Sequence, residues 1–194
     1  MFQVRIHGRG GQGVVTAAEL LSVAAFMEGK YAQAFPSFGS ERMGAPVTAF
    51  CRIDDREIRS REPIVTPDAL IIQDPTLPHS VDVFDGLVST GFLLINSTKG
   101  FEALGIETFV VGLPPGHARS VAATELALEH IGRPIPNAAL LGAFAALTGL
   151  LHLEAVRAAI RERFPGAIGD KNCAAATKAY EAIGQAQPRE AAIC

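Results

Sequence analysis

An α/β fold with a mixed, mostly parallel sheet is predicted by three features of this 194-residue chain. The first is the opening stretch FQVRIHGRGGQG. In it apolar Val4 and Ile6 alternate with polar Arg5 and His7 before the chain enters four glycines and Gln12. The apolar, helix-forming run GVVTAAELLSVAAFMEG follows and closes at Gly29. Strand, glycine turn and helix in that order present backbone N–H groups at a helix N-terminus to an anion or a partner. The second feature is a set of short apolar runs, Asp68–Gln73, Gly91–Asn96 and Glu107–Val111. Their length suits central strands covered on both faces. The third is a C-terminal part that reads as one helix after another.

Taken in order, Tyr31–Phe35 is expected as a second strand, stopped by Pro36, and Val47–Ile53 alternates as a third. Asp54-Asp55 then reads as a turn into a partner strand at Glu57–Arg59. A hairpin is not a βαβ repeat, which is why the sheet is expected to be mixed. Between the second and third strands lies PSFGSERMGAP, rich in turn formers yet carrying Glu41 and Arg42 beside Phe35 and Phe38. A loop of that composition points to function or an interface. Ser120 is expected to cap VAATELALEHIG, which closes at Gly132, and Asn137 to cap AALLGAFAALTGLL. His152–Phe164 carries Leu153, Val156, Ile160 and Phe164 on one stripe. Lys171–Ile183 reads as the last helix, with Asp170 as its cap. With no repeat and no linker, residues 1–186 are expected to form one domain and 187–194 a mobile tail.

Composition narrows the function. The formal net charge of −3 argues against a general nucleic-acid binder. Arg42, Arg52, Arg56, Arg59 and Arg61 crowd one region, which suits either an anion or subunit contact or a solvated face. Cys51, Cys173 and Cys194 lie far apart with no C-x-x-C, so the chain has no zinc or iron–sulfur spacing of its own. Scattered cysteines and a start directly in a strand lead to the expectation of a cytoplasmic chain. Ala138–Leu151 is the most apolar window, too short for the roughly 20 residues that span a bilayer. No membrane insertion is expected.

Gly8, Gly10 and Gly13 satisfy G-x-G-x-x-G, a weak signal by itself. A dinucleotide site wants an acid near the end of the second strand, and Ala34-Phe35-Pro36-Ser37 has none, which argues against NAD. No G-K-[ST] follows the glycines. The five histidines lack H-E-x-x-H spacing, no serine sits in G-x-S-x-G, and no cysteine has a visible activating partner. The sequence thus offers no self-contained nucleophile, acid–base pair or metal site. Lys171 and Asn172, after PGAIGD, read equally as ordinary helix-start residues or as a polar tip facing a ligand or another subunit.

Taken together, GRGGQGVVTAAELL, PSFGSERMGAPVTAFCRI and the late DKN helix resemble the gamma subunit of 2-oxoacid:acceptor oxidoreductases. Pyruvate:ferredoxin and 2-ketoisovalerate:ferredoxin oxidoreductases are members of that family. The likeness runs from Phe2 to about Ile183. Gly8, Gly10, Gly11, Gln12 and Gly13 match the family's glycine turn. Phe38, Gly39, Glu41 and Arg42 match its second motif, with Met43 and Ala45 standing where an arginine and a glycine are common.

The resemblance implies a three-layer Rossmann-like sandwich with a helical C-terminal part. It also implies a subunit working with alpha, beta and delta partners in oxidative decarboxylation of a 2-oxoacid to an acyl-CoA. Thiamine diphosphate and Mg2+ are implied between alpha and beta, and [4Fe–4S] clusters in ferredoxin-like parts. Electrons are implied to pass to ferredoxin or, through a flavin (FAD) subunit, to NAD. The resemblance assigns no catalytic residue or metal ligand to this chain. It makes Gly8, Gly10–Gly13, Phe38, Glu41, Arg42, Lys171 and Asn172 the candidate cofactor-contacting residues, with CoA the cofactor approached. The indolepyruvate oxidoreductase beta-type subunit carries a similar domain, and a stand-alone nucleotide- or CoA-binding module is the competing class.

Overall fold

The computed structural model describes residues 1–37 and 43–186. Six strands form one sheet: β1 (Phe2–Arg9), β2 (Tyr31–Pro36), β3 (Pro46–Asp54), β4 (Ala69–Ile72), β5 (Phe92–Asn96) and β6 (Ala118–Val121). Their spatial order is β2-β3-β1-β4-β5-β6. β1, β4, β5 and β6 run parallel, whereas β3 lies antiparallel to both β1 and β2. The expected mixed, mostly parallel sheet is therefore present, and its change of direction falls at β1, the strand that feeds the glycine turn.

The period-2 pattern of each strand sorts side chains between two cores. Val4, Ile6, Cys51, Ile53, Ala69, Ile71 and Leu94 face a helical layer made by α1 (Val14–Met27), α4 (Asn137–Thr148), α5 (Leu153–Arg163) and α6 (Ala167–Ala186). Leu70, Ile72, Leu93 and Ile95 point the other way, under Leu77, Val83, Leu104 and Ile106 from the connecting segments. α4 is apolar all round and buried along nearly its whole length, as a central helix must be. It touches α6 so closely that a Cβ on Gly142 would lie 2.0 Å from the Ala176 carbonyl oxygen.

On its non-helical face the antiparallel half of the sheet carries two buried arginines. Arg5 donates to His7 Nε2 at 3.0 Å, to the Val83 carbonyl at 3.1 Å and to the Asp85 carbonyl. Arg52 donates to Gln3 Oε1 at 3.3 Å and to the carbonyls of Ser60 and Glu62. Each guanidinium thus draws a loop across the sheet, and its fixed fork of donors suits that task.

Several expectations are corrected. Glu57–Arg59 forms no strand. β2 already occupies the position beside β3, and the bonds from Arg52 carry the following chain across the face rather than along the edge. Glu107–Val111 is not a strand but the one-turn helix α2, with none of its residues buried. The position beside β5 belongs to β6 instead. Ser120 lies inside β6, so it caps nothing. α3 (Ala123–Ile131) starts after Ala122, and Asn96 Oδ1 accepts the Thr124 N–H at 3.1 Å. Asn137 is the first residue of α4, after an N-cap at Pro136. Asp170 is not a cap, because α6 begins at Ala167 and places it in the first turn. The tail at 187–194 lies outside the described residues.

Candidate functional site

β1 delivers the chain to the C-terminal edge of the sheet, where the four glycines have separate tasks. Gly8 is buried, and a Cβ there would lie 2.6 Å from Val14 Cγ2 and 3.2 Å from Gln73 Cβ. Gly11 and Gly13 adopt φ of 94° and 75°, a region that L side chains enter at a cost of roughly 1–2 kcal/mol. Gly13 is the N-cap of α1 and supplies no side-chain cap, and the first turn of α1 contains no acid. Among the described residues the N–H groups of Gly11, Gly13, Val14, Val15 and Thr16 have no acceptor. They border a cleft of about 390 Å³ shared with Arg9 and Val47. An uncapped 14-residue helix presents the positive end of its dipole there.

The second motif returns to the same place. Because β3 is antiparallel to β1, its beginning lies beside the end of β1. Gly10 and Met43 form a β-bridge. The Gly10 N–H donates to Ala45 O at 2.9 Å, and Gly44 N–H donates to Gly10 O at 3.1 Å. Met43 is 87% exposed and sits over Gly11, with Cε 3.1 Å from where a Cβ would be.

Gln12 turns inward. Its Oε1 accepts the Arg9 N–H at 2.7 Å, and its Nε2 donates to Asp74 Oδ2 at 2.9 Å. Arg9 Nε donates to the same oxygen at 3.1 Å, its Nη1 to Gly44 O at 3.1 Å and its Nη2 to Thr76 Oγ1 at 2.9 Å. Partial burial raises the Asp74 carboxyl, but hydrogen bonds from Thr76 and Gln12 and the charge of Arg9 outweigh it and hold it below the ordinary carboxylate range. His7, two residues before Arg9 on β1, is pushed down to about 3, first by burial and then by the charge of Arg5.

A family model described as pyruvate ferredoxin/flavodoxin oxidoreductase matches residues 3–182. The chain belongs to this family. It is 52% identical over 180 residues to the pyruvate/ketoisovalerate oxidoreductases common subunit gamma of Thermococcus kodakarensis, covering 93% of this chain and 96% of that one. Against the pyruvate synthase subunit PorC of Methanothermobacter thermautotrophicus it is 48% identical over 183 residues, covering 94% and 96%. The crystal structure of the pyruvate oxidoreductase subunit PORC of Thermotoga maritima superposes with a TM-score of 0.78 at 38% identity, covering 93% of this chain and 95% of that one. Fold class and family thus agree with the resemblance read from the sequence.

For a member of this family, the candidate residues fall into three groups. Gly8, Gly10, Gly11, Gln12 and Gly13 stand together at the turn. Phe38, Glu41 and Arg42 lie outside the described residues. Lys171 and Asn172 stand apart: Asn172 is buried and donates to the Ile168 carbonyl of its own helix at 2.8 Å, Lys171 is exposed, and neither lines the cleft. Sequence reasoning missed Asp74, Arg9 and Thr76. The available signal was the DPT that ends β4, since the carboxyl edge of parallel strands is where α/β sheets place ligands. No group of three potential metal ligands occurs among the described residues, and no described helix is long and apolar enough to cross a membrane.

Proposed function

We propose that the Gly10–Gly13 turn, together with the second motif, whose residues 43–45 return to it, is the face through which this chain works inside a larger enzyme. There its backbone donors take up a CoA phosphate or a carboxylate of a catalytic subunit. The chain is a gamma-type subunit of a multi-subunit 2-oxoacid oxidoreductase, with pyruvate or a branched-chain 2-oxoacid the substrates its relatives' names favour. The observation that carries the surface reading is the bridge between Gly10 and Met43, which joins both motifs beside an uncapped helix N-terminus. The donor set fits an anion: the unpaired N–H groups of the turn are its positive wall, and Arg42 of the second motif is proposed as the complementary cation. Thiamine diphosphate, Mg2+, the [4Fe–4S] clusters and any FAD then belong to alpha-, beta-, delta- and flavin-type partners. The oxidative chemistry belongs to those groups. This chain offers a docking face for the catalytic subunits or for the approach of CoA.

The test is native mass spectrometry of the tagged chain purified anaerobically from its source, combined with substitutions at the turn. Larger chains carrying iron, sulfide and thiamine diphosphate are expected to co-purify. Gly11→Trp and Arg42→Glu are expected to weaken assembly or raise the KM for CoA. A chain that stays alone, or full assembly and full acyl-CoA formation in both variants, would sink the proposal.

A further inference from the structure

We propose that Asp74 is the positioning residue of the glycine turn, holding Gly10–Gly13 in its contact conformation through Gln12 and Arg9 without meeting the ligand itself. This rests on the reading of the turn as a contact surface. The turn cannot hold itself in place. Gly10, Gly11 and Gly13 bring no side chains, and glycine-rich backbone loses the most freedom on ordering. Gln12 is the sole side chain between Gly10 and Gly13, and both ends of its amide are engaged within the protein.

An amide can present either end, and its surroundings decide which. The Asp74 carboxylate only accepts, so it takes the Gln12 NH2 and thereby leaves Oε1 facing the Arg9 N–H at 2.7 Å. Its four bonds, from three residues, divide between its two oxygens. Oδ2 accepts from Gln12 Nε2 and Arg9 Nε, and Oδ1 from the N–H and hydroxyl of Thr76. Only a group with two accepting oxygens satisfies all four donors. Asp74 does not line the 390 Å³ cleft, and its side chain is 13% exposed.

Charge sharpens the argument. A carboxylate near the positive end of α1 repels an anion, so by electrostatics alone Asp74 works against the site. Arg9 offsets that charge at 3.1 Å. What remains in favour of a carboxylate is geometry: it fixes the Arg9 guanidinium and the Gln12 side-chain amide, and through that amide the Arg9 N–H.

The experiment compares Asp74→Asn, Gln12→Glu and the double variant within the assembled oxidoreductase, reading amide hydrogen exchange at Arg9, Gly10 and Gln12, whose N–H groups are hydrogen-bonded, together with the KM for CoA and kcat. Each single variant is expected to speed exchange at those amides at least tenfold and to raise the KM for CoA severalfold with kcat unchanged. The double variant exchanges donor for acceptor. The carboxylate at position 12 accepts from the Arg9 N–H and from the amide at position 74, which restores that link but leaves Arg9 Nε facing a donor, so both readouts recover in part. Unchanged exchange in Asp74→Asn overturns the proposal, as does loosening spread over the whole chain or a double variant no better than the single ones. Faster exchange confined to Arg9, Gly10 and Gln12, with the KM for CoA and assembly both unaltered, upholds the positioning role and overturns the contact-surface reading instead.

Discussion

His7 makes stability depend on pH in a window where few other groups titrate. Its ring is 6% exposed, with Nε2 accepting from Arg5 Nε at 3.0 Å and Nδ1 lying 3.3 Å from Thr48 Oγ1. The single proton therefore sits on Nδ1, and a second would have to enter at Nε2 against the Arg5 N–H. Folded His7 protonates only near pH 3, whereas the unfolded side chain takes a proton at about 6.5. Below about 6.5 the unfolded chain binds a proton that the folded chain refuses, so stability falls as the pH drops. The contribution is fully present above the unfolded pKa and declines toward the folded one. From pH 7.5 to 5.0 the loss integrates to about 2 kcal/mol at about 1.36 kcal/mol per unit. Asp74, also lowered on folding, adds a loss in the same direction at lower pH, because its unfolded value is already in the carboxylate range.

The assay is urea unfolding of the full chain at pH 7.5, 6.0 and 5.0, wild type against His7→Gln. Wild type is expected to lose about 2 kcal/mol more than the variant over that range. Glutamine keeps an acceptor near Arg5 and has nothing to titrate. Parallel loss in the two proteins would refute the argument, because it would show that His7 is either protonated in the fold or equally shielded when unfolded.

Gly142→Ala is expected to destabilise by several kcal/mol despite gaining about 1 kcal/mol of helix propensity, because its Cβ would fall 2.0 Å from backbone of α6. Thermal unfolding checks this, and a stabilised variant would show that α4 and α6 are less closely packed than described. Gly13→Ala and Gly29→Ala form a matched pair with φ of 75° and 76°. Both should pay about 1 kcal/mol of left-handed strain, but only position 13 adds a contact, 2.9 Å to Asn137 Nδ2. Gly13→Ala should therefore have the lower melting temperature of the two.

Much of this architecture is legible from local pattern, and the failures have local causes. β1, α1, β3, β4 and β5 are read correctly because period and turn chemistry agree there. Glu107–Val111 misleads because Thr-Phe-Val-Val has strand composition, while the real edge strand, ARSV, carries Arg119 and Ser120 and looks like a helix start. The start of α6 is hidden by Gly169, which reads as a turn residue. It is a glycine because a Cβ would strike the Phe164 carbonyl oxygen at 2.0 Å. At the site, the glycine turn is visible in sequence but its anchor is not. Asp74 lies 62 residues from Gln12, and only the parallel pairing of β1 with β4 brings them together.

The same topology decides what the glycine turn can hold. In a dinucleotide fold a parallel strand lies on the side of β1 opposite β4, and its carboxylate meets the ribose. Here that neighbour is β3, antiparallel, with Pro46 paired to Arg9. An antiparallel strand must begin where β1 ends, so residues 43–45 arrive beside the glycines and bond to Gly10. The room for an adenosine is thus filled by the protein's own backbone, and no acid ends β2. The α1 N-terminus can still meet a phosphate through its N–H groups, but not an adenosine held across the strand switch. NADH fluorescence is expected to stay unchanged on titration with this chain, while Gly44→Pro, which removes the N–H given to Gly10 O and cannot adopt the φ of 78° found there, should loosen the turn without creating NADH binding. Saturable NADH binding by the unmodified chain would show that the 43–45 segment vacates the switch point, and the site would have to be rebuilt from that opening.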